Sequence, residues 1–295
     1  MIVVTAPTGR IGSKVVQHLL AAGEPTRVVV RDPARLPAAV RDRVEVVPGS
    51  HSAPDVVNAA FAGADAVFWL VPADPRAPSA DAAYTGFARP GVEAFAKHGV
   101  GHVVGISALG RGTVAAGRAG NITATLAMDD LIAGSGVAYR ALTLPSFMDN
   151  LLRSIPSIKT DGTFASALAG DLRLPAVATA DIAAVAAGLL LDRSWSGVAE
   201  VPLLGPEDVS FDDMARILSD VLGTPVRYRR VPAEELRAGM VGRGMSEAMA
   251  QAMLDMADAK EHGLDEAVAR TPENSTPTTF RQWCEEVFRP AFDAA

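Results

Sequence analysis

Two glycines three residues apart, Gly9 and Gly12, stand just after the β-branched run Ile2-Val3-Val4-Thr5 and just before apolar residues at helical spacing, Val15, Val16, Leu19 and Leu20. A short apolar run that changes across a glycine turn into a 3.6-residue period describes a strand feeding a helix. Glycines in that setting let the backbone approach a ligand closely. They also bring the helix N-terminus, with its unbonded N–H groups, against an anion such as a pyrophosphate. The turn is thus a candidate dinucleotide-phosphate site, with Thr5, Ala6, Thr8, Gly9, Arg10, Ile11 and Gly12 as its residues.

The first half of the chain repeats the pattern. Thr26–Val30, Val44–Val47, Ala66–Val71, Val103–Ser107 and Ala138–Leu144 read as further strands, with helices over Gly12–Ala22, Pro54–Ala62, Pro90–His98 and Asn121–Gly134 between them. Short strands apolar on both faces, alternating with amphipathic stretches, predict an α/β fold of the Rossmann type, a doubly wound parallel sheet of six strands covered by helices. Beyond Phe147 prolines become frequent and the elements shorten, with helices at Ala180–Leu191 and at Ser210–Leu222, the latter capped by Ser210. This divides the chain into a dinucleotide-binding core over 1–150 and a smaller, substrate-facing C-terminal lobe over 151–295, interleaved in one continuous body.

Composition removes several alternatives. The formal net charge of −7 and the lack of any basic block argue against a nucleic-acid partner, because such binding rests on clustered Lys and Arg. The longest apolar run, Ile182–Leu191, is half the roughly 20 residues needed to cross a bilayer. No secretory start is visible, and the single cysteine, Cys284, reads as a small buried hydrophobe, so a cytoplasmic location is expected. The five histidines show no metal or triad spacing, and no metal is expected.

The residue after the second strand separates the two nicotinamide cofactors: an acid there binds a ribose 2′-OH, whereas a cation pairs with a 2′-phosphate. Arg31 occupies it, 22 residues after Gly9 and close to the expected spacing of about 20, which favours NADP(H). Arg35 is a second candidate phosphate partner or a solvated surface arginine, and Asp32 beside Arg31 counts slightly against the assignment.

In order along the chain, the Thr5–Gly12 turn, Val30-Arg31-Asp32-Pro33, Ala62-Gly63-Ala64-Asp65-Ala66-Val67, Ser135-Gly136-Val137, Pro145-Ser146-Phe147-Met148-Asp149-Asn150, Asp181-Ile182-Ala183 and Thr276-Pro277-Thr278-Thr279-Phe280 resemble the NmrA-like branch of the atypical short-chain dehydrogenase/reductase superfamily. The resemblance covers nearly the whole chain. It departs at Ala6, where the family usually has a third glycine, and at Ser50, where the family often has an aspartate that contacts adenine. Ser50, Val71, Pro72, Ser107 and Pro145 complete the expected cofactor-binding set.

The Tyr-x-x-x-Lys pair of typical short-chain reductases is absent, and Asn121 and Thr125 fall where its members would stand. Ser107 matches the superfamily serine and is the sole catalytic candidate, either bonding a substrate oxygen or capping its strand. Without a general acid, a hydride acceptor must spread its own charge, so the resemblance implies an NADP(H)-dependent reductase of a quinone-like or conjugated aromatic or polycyclic small molecule. The alternative it implies is a redox-sensing regulatory protein that acts through a protein partner, and an epimerase or dehydratase would need the missing pair. Trp69, Phe147, Asn150, Met245 and Met249 are the expected substrate-pocket residues, the methionines belonging to a stripe over Met240–Met256 that reads as core packing or as an adaptable lid. A homodimer is compatible with the sequence.

Overall fold

In the computed structural model, which describes residues 1–295, the run Ile2–Thr5 forms strand β1 with all four residues buried. Helix α1 (Gly12–Ala21) follows and buries Val15, Val16, Leu19 and Leu20 on one face, and Gly23, at φ 73°, ends the segment. Then come β2 (Thr26–Val30), β3 (Glu45–Pro48), α2 (Pro54–Phe61), β4 (Ala66–Trp69), α3 (Phe87–His98), β5 (His102–Ala108), α4 (Asn121–Ala133) and β6 (Ala138–Leu144). Later in the chain α5 (Thr179–Leu191) and β7 (Val198–Pro202) complete the set.

These strands make one sheet in the order β7-β6-β5-β4-β1-β2-β3. β1 runs parallel to both β2 and β4, with Thr5 opposite Val29 and Val4 opposite Phe68. The order reverses between β1 and β4, and ligands of such sheets bind outside the carboxyl ends of the strands at that point. The sheet has seven strands rather than the six expected. The extra one, β7, reads Val-Ala-Glu-Val-Pro and is largely half-buried or exposed at the sheet edge, so it lacks the apolar pattern that marks a strand covered on both faces.

A second difference lies at α3. Its expected start at Pro90 is in fact inside the helix, which begins at Phe87 after a π-helical turn over Ala82–Gly86. Proline has no N–H to return to the carbonyl four residues back, and the widened turn falls where that bond is missing.

The chain folds as two units, neither continuous in sequence. The first comprises Met1–Ala108, Ala124–Thr143 and Ile182–Val201, and the second Leu109–Thr123, Leu144–Asp181 and Pro202–Ala295. The core of the first packs Phe61, Trp69, Phe95, Met128, Ile132 and Tyr139 against the valines of the sheet. Trp69 is fully buried there, edge-on to Phe95 at 5.6 Å, and a side chain at Gly91 would run into its ring.

In the second unit, Thr163–Ser166 pairs in parallel with Arg227–Arg230, and Leu174–Val177 lies between Ser146–Phe147 and Asp208–Val209. Ser210 caps the helix Phe211–Leu222: its hydroxyl accepts from the Asp213 N–H at 3.0 Å, and the Asp213 carboxylate accepts from the Ser210 N–H at 3.3 Å. The buried Asp149 carboxylate accepts from the Thr179 hydroxyl (2.8 Å) and the Trp283 indole (3.2 Å), while Asp181 accepts from the Thr278 hydroxyl (2.8 Å). The Asp181–Thr278 bond joins two of the sequence patches that carry the family resemblance, and Asp149, in a third, bonds Thr179 and Trp283 close beside each of them. Cys284 lies in the same core, its thiol pushed up to about 12 by burial. No helix is long and apolar enough to cross a membrane.

Candidate cofactor site

The geometry of the turn begins with Thr5, whose hydroxyl donates to the Phe68 carbonyl (3.0 Å) and accepts from the Leu70 N–H (2.9 Å). It locks the ends of β1 and β4 together where the strand order reverses. Ala6 then adopts φ 49°, a left-handed conformation that a non-glycine residue rarely takes. Its carbonyl turns inward to accept from the Gly9 N–H at 3.0 Å, and a Cβ at Gly12 would collide with that carbonyl. Gly12 is thus required by packing of the helix start on the turn, and Gly9 is exposed where a ligand can approach.

From Ser13 onward the N–H groups of α1 bond back, Ser13 to Gly9 and Val15 to Ile11. The groups before them open the helix and have no intrahelical acceptor, with Thr8, Gly9 and Arg10 exposed beside them. The positive end of a helix set in an exposed glycine turn fits a pyrophosphate.

Arg31 leaves the end of β2 exposed, and no carboxylate of the chain pairs with it or with Arg35. The neighbouring acid is otherwise engaged: Asp32 accepts from the Ala34 N–H at 3.0 Å and caps the short turn Pro33–Arg35. The two arginines are thus exposed cations that form no salt bridge within the chain. Ser50 follows Gly49 (φ 137°) and shares a 2.8 Å hydrogen bond with Ser52. Val71 is half-buried and Pro72 exposed just beyond β4.

His51 is one of the five histidines without metal or triad spacing in the sequence. It is buried, with Nε2 bonded to the Leu70 carbonyl at 2.9 Å and its ring edge-on to Trp69 (5.1 Å) and Phe87 (4.8 Å). Burial pushes its pKa down to about 4, with the Arg31 charge adding in the same direction, so the ring is neutral and Nε2–H donates. It pins the loop after β3 to the end of β4, and no local pattern foretells that Trp69 and Phe87 converge on it.

At the end of β5 the Ser107 hydroxyl donates to the Asp129 carboxylate, whose other oxygen accepts from the Tyr139 phenol at 2.6 Å. Its proton is committed inside the unit. On α4, Thr125 hydrogen-bonds the Tyr84 phenol, which burial pushes above its ordinary pKa. Sequence reasoning passed over Tyr84, which has no motif spacing to Thr125. In the second unit, the Asn121 amide donates to the Met253 sulfur at 3.1 Å.

The second unit also holds a cavity of about 260 Å³, lined among others by Phe147, Asn150, Met240, Met253, Met256 and Phe280. Phe147 and Asn150 are pocket residues predicted from sequence. Trp69 is not one, being sealed in the core of the other unit. Met245 packs instead on Met240, Ala250 and Leu254, and Met249 is buried at the start of the helix Glu247–Glu261. The methionine stripe was read as one period, but it spans two helices, Ala233–Gly242 and Glu247–Glu261, and the break between them shifts its phase. Pro145 also belongs to the second unit, where it is buried.

With this geometry in hand, comparison with known proteins is specific. A family model described as NAD(P)H-binding matches residues 7–193. The chain is 31% identical over 292 residues to the (4-alkanoyl-5-oxo-2,5-dihydrofuran-3-yl)methyl phosphate reductase of Streptomyces griseus, covering 97% of each. It is 32% identical to the NAD(P)H azoreductase of Xenophilus azovorans, covering 87% of this chain and 86% of that one. The structure of an NADPH-dependent quinone oxidoreductase from Escherichia coli superposes with a TM-score of 0.74 at 21% identity, over 98% of this chain and all of the other. A glycine turn at a strand-order reversal, two unpaired arginines after β2 and this set of likenesses agree: the chain belongs to the NAD(P)H-binding family.

Proposed function

We propose that this protein is an NADP(H)-dependent reductase of conjugated small molecules, quinone-like rings and related unsaturated carbonyl compounds. The observation that carries the reading is the commitment of the Ser107 proton to Asp129. None of the three tyrosines is followed four residues on by lysine. The acid of typical short-chain reductases is therefore missing, and an acceptor must hold the incoming electron pair by delocalisation before solvent protonates it. Quinones, azo compounds and oxo-dihydrofurans share that property, and these are the groups in the names of the relatives.

The Thr5–Gly12 turn would hold the pyrophosphate, Arg31 and Arg35 the 2′-phosphate, and Ser50 the adenosine end. Bound there, the reduced dinucleotide supplies a hydride. What the protein's own groups contribute is orientation and exclusion of water rather than proton transfer. Ser107, whose O–H is directed at Asp129, has only lone pairs to offer a substrate.

The test is oxidation of NADPH and of NADH by the purified chain with a panel of quinones, an azo dye and a 3-acyl-2,5-dihydrofuran-2-one. The expected result is acceptor-dependent oxidation with NADPH preferred. Tight dinucleotide binding without turnover of any acceptor would overturn the reading in favour of a cofactor-sensing protein.

A further inference from the structure

We infer that the cavity of the second unit binds the unbranched apolar tail of a neutral ligand, an alkyl or acyl chain of medium length, and not a fused ring system. This rests on the reductase reading, for which it names the substrate class.

Size argues first. About 260 Å³ lies below the roughly 300–1,000 Å³ of pockets that enclose a whole drug-sized ligand, so a polycyclic acceptor does not fit inside, whereas one chain or one small ring does.

Wall chemistry argues second. Five methionines, Met148, Met214, Met240, Met253 and Met256, line the cavity with Phe164 and Phe280. Thioether side chains are unbranched and rotate freely, so they close around a flexible chain of variable path, where a rigid ring would call for a fixed slot.

Charge argues third. The one charged side chain in the lining, Lys260, is buried, and its ammonium is paired with the equally buried carboxylate of Asp265. Its aliphatic stem lines the wall while its charge is spoken for. A fatty carboxylate entering the cavity would meet no unpaired cation and would lose its hydration, which is strongly unfavourable. A neutral chain meets no such penalty. Asn150 and Ala165 in the lining are exposed, whereas Phe164, Ala176 and Phe280 are buried, so the lining runs from exposed residues to buried hydrocarbon and aromatic surface.

The experiment is calorimetric titration of the full chain, without cofactor, with straight-chain alcohols from butanol to dodecanol. Affinity should rise about fourfold for each added methylene and level off at the length that fills the cavity. Decanoate at neutral pH should bind more than tenfold more weakly than decanol. Met256→Trp should move the levelling-off to shorter chains and Met256→Ala to longer ones, with circular dichroism confirming that both variants fold. In turnover, kcat/KM for 2-alkyl-1,4-benzoquinones should rise over the same lengths.

Affinity that ignores chain length, decanoate binding as tightly as decanol, or a levelling-off that neither Met256 variant moves would each overturn the inference. The two readings fail separately. Length-dependent alcohol binding with no acceptor reduced would refute the reductase and leave the tail site standing. Quinone reduction indifferent to alkyl length would refute the tail site and leave the reductase.

Discussion

Ser107 and Tyr139 donate to opposite oxygens of one buried carboxylate, that of Asp129, so that β5, α4 and β6 are tied at a single point inside the first unit. This gives Ser107 a structural partner inside the unit. Truncation of Asp129 to alanine strands two buried hydroxyl donors, each worth about 1–3 kcal/mol when left unsatisfied. Asp129→Ala should therefore lose roughly 2–5 kcal/mol in urea unfolding. Ser107→Ala should change kcat for quinone reduction by less than about fivefold, since removal of a true proton donor would lower it by about a hundredfold or more.

Ala6 holds φ 49° while its carbonyl receives the Gly9 N–H. An L-residue with a Cβ pays about 1–2 kcal/mol for that conformation, of which glycine would return part to unfolded-state entropy. Ala6→Gly should stabilise the protein by about 0.5–1 kcal/mol and Ala6→Val should destabilise it by more than that, both read as shifts of Tm.

The legible parts of this molecule are those governed by local spacing. Ile2–Thr5 announced a covered strand because it is apolar on both faces, and the Gly9–Gly12 spacing announced the helix start because Gly12 has no room for a Cβ beside Ala6. The Ser210 cap was legible for the same reason: the hydroxyl and its Asp213 partner are three residues apart. What escaped depends on distant partners. Trp69 ends a strand at the ligand-binding edge, which made it look like a pocket residue, but space for its indole is left by Gly91 on another element. The contacts of His51 with Leu70 and Phe87, and of Tyr84 with Thr125, join residues whose proximity no spacing encodes. The edge strand β7 carries Glu200 at its centre and ends at Pro202, with every residue half-buried or exposed, and it therefore reads as loop.

Arg31 supplies the next prediction. It is exposed and its acidic neighbour Asp32 caps the Pro33–Arg35 turn, and under the proposed function its guanidinium serves the 2′-phosphate. A charge-assisted bond is worth about 1.5–3 kcal/mol, so Arg31→Ala should weaken NADPH binding roughly ten- to a hundredfold and leave NADH within about twofold. The effect should shrink in high salt because the pair is exposed. Fluorescence titration with both cofactors decides it, and an equal loss for both would remove Arg31 from the 2′-phosphate site.

His51 sets an acid limit on the fold. Its ordinary pKa of 6.5 falls to about 4 in the native chain because burial excludes the charged ring. As pH drops below 6.5 the unfolded chain takes up a proton that the native chain refuses, so stability is complete above 6.5 and declines between 6.5 and 4. At pH 4.5 the loss from this one group is about 2–3 kcal/mol. His51→Gln keeps a donor toward the Leu70 carbonyl and cannot titrate. Between pH 7 and pH 4.5 the variant should therefore lose about 2–3 kcal/mol less than the wild type in urea unfolding. Parallel losses in the two proteins would mean that the ring reaches water and accepts a proton in the native state, which the enclosure of the imidazole by Trp69 and Phe87 opposes.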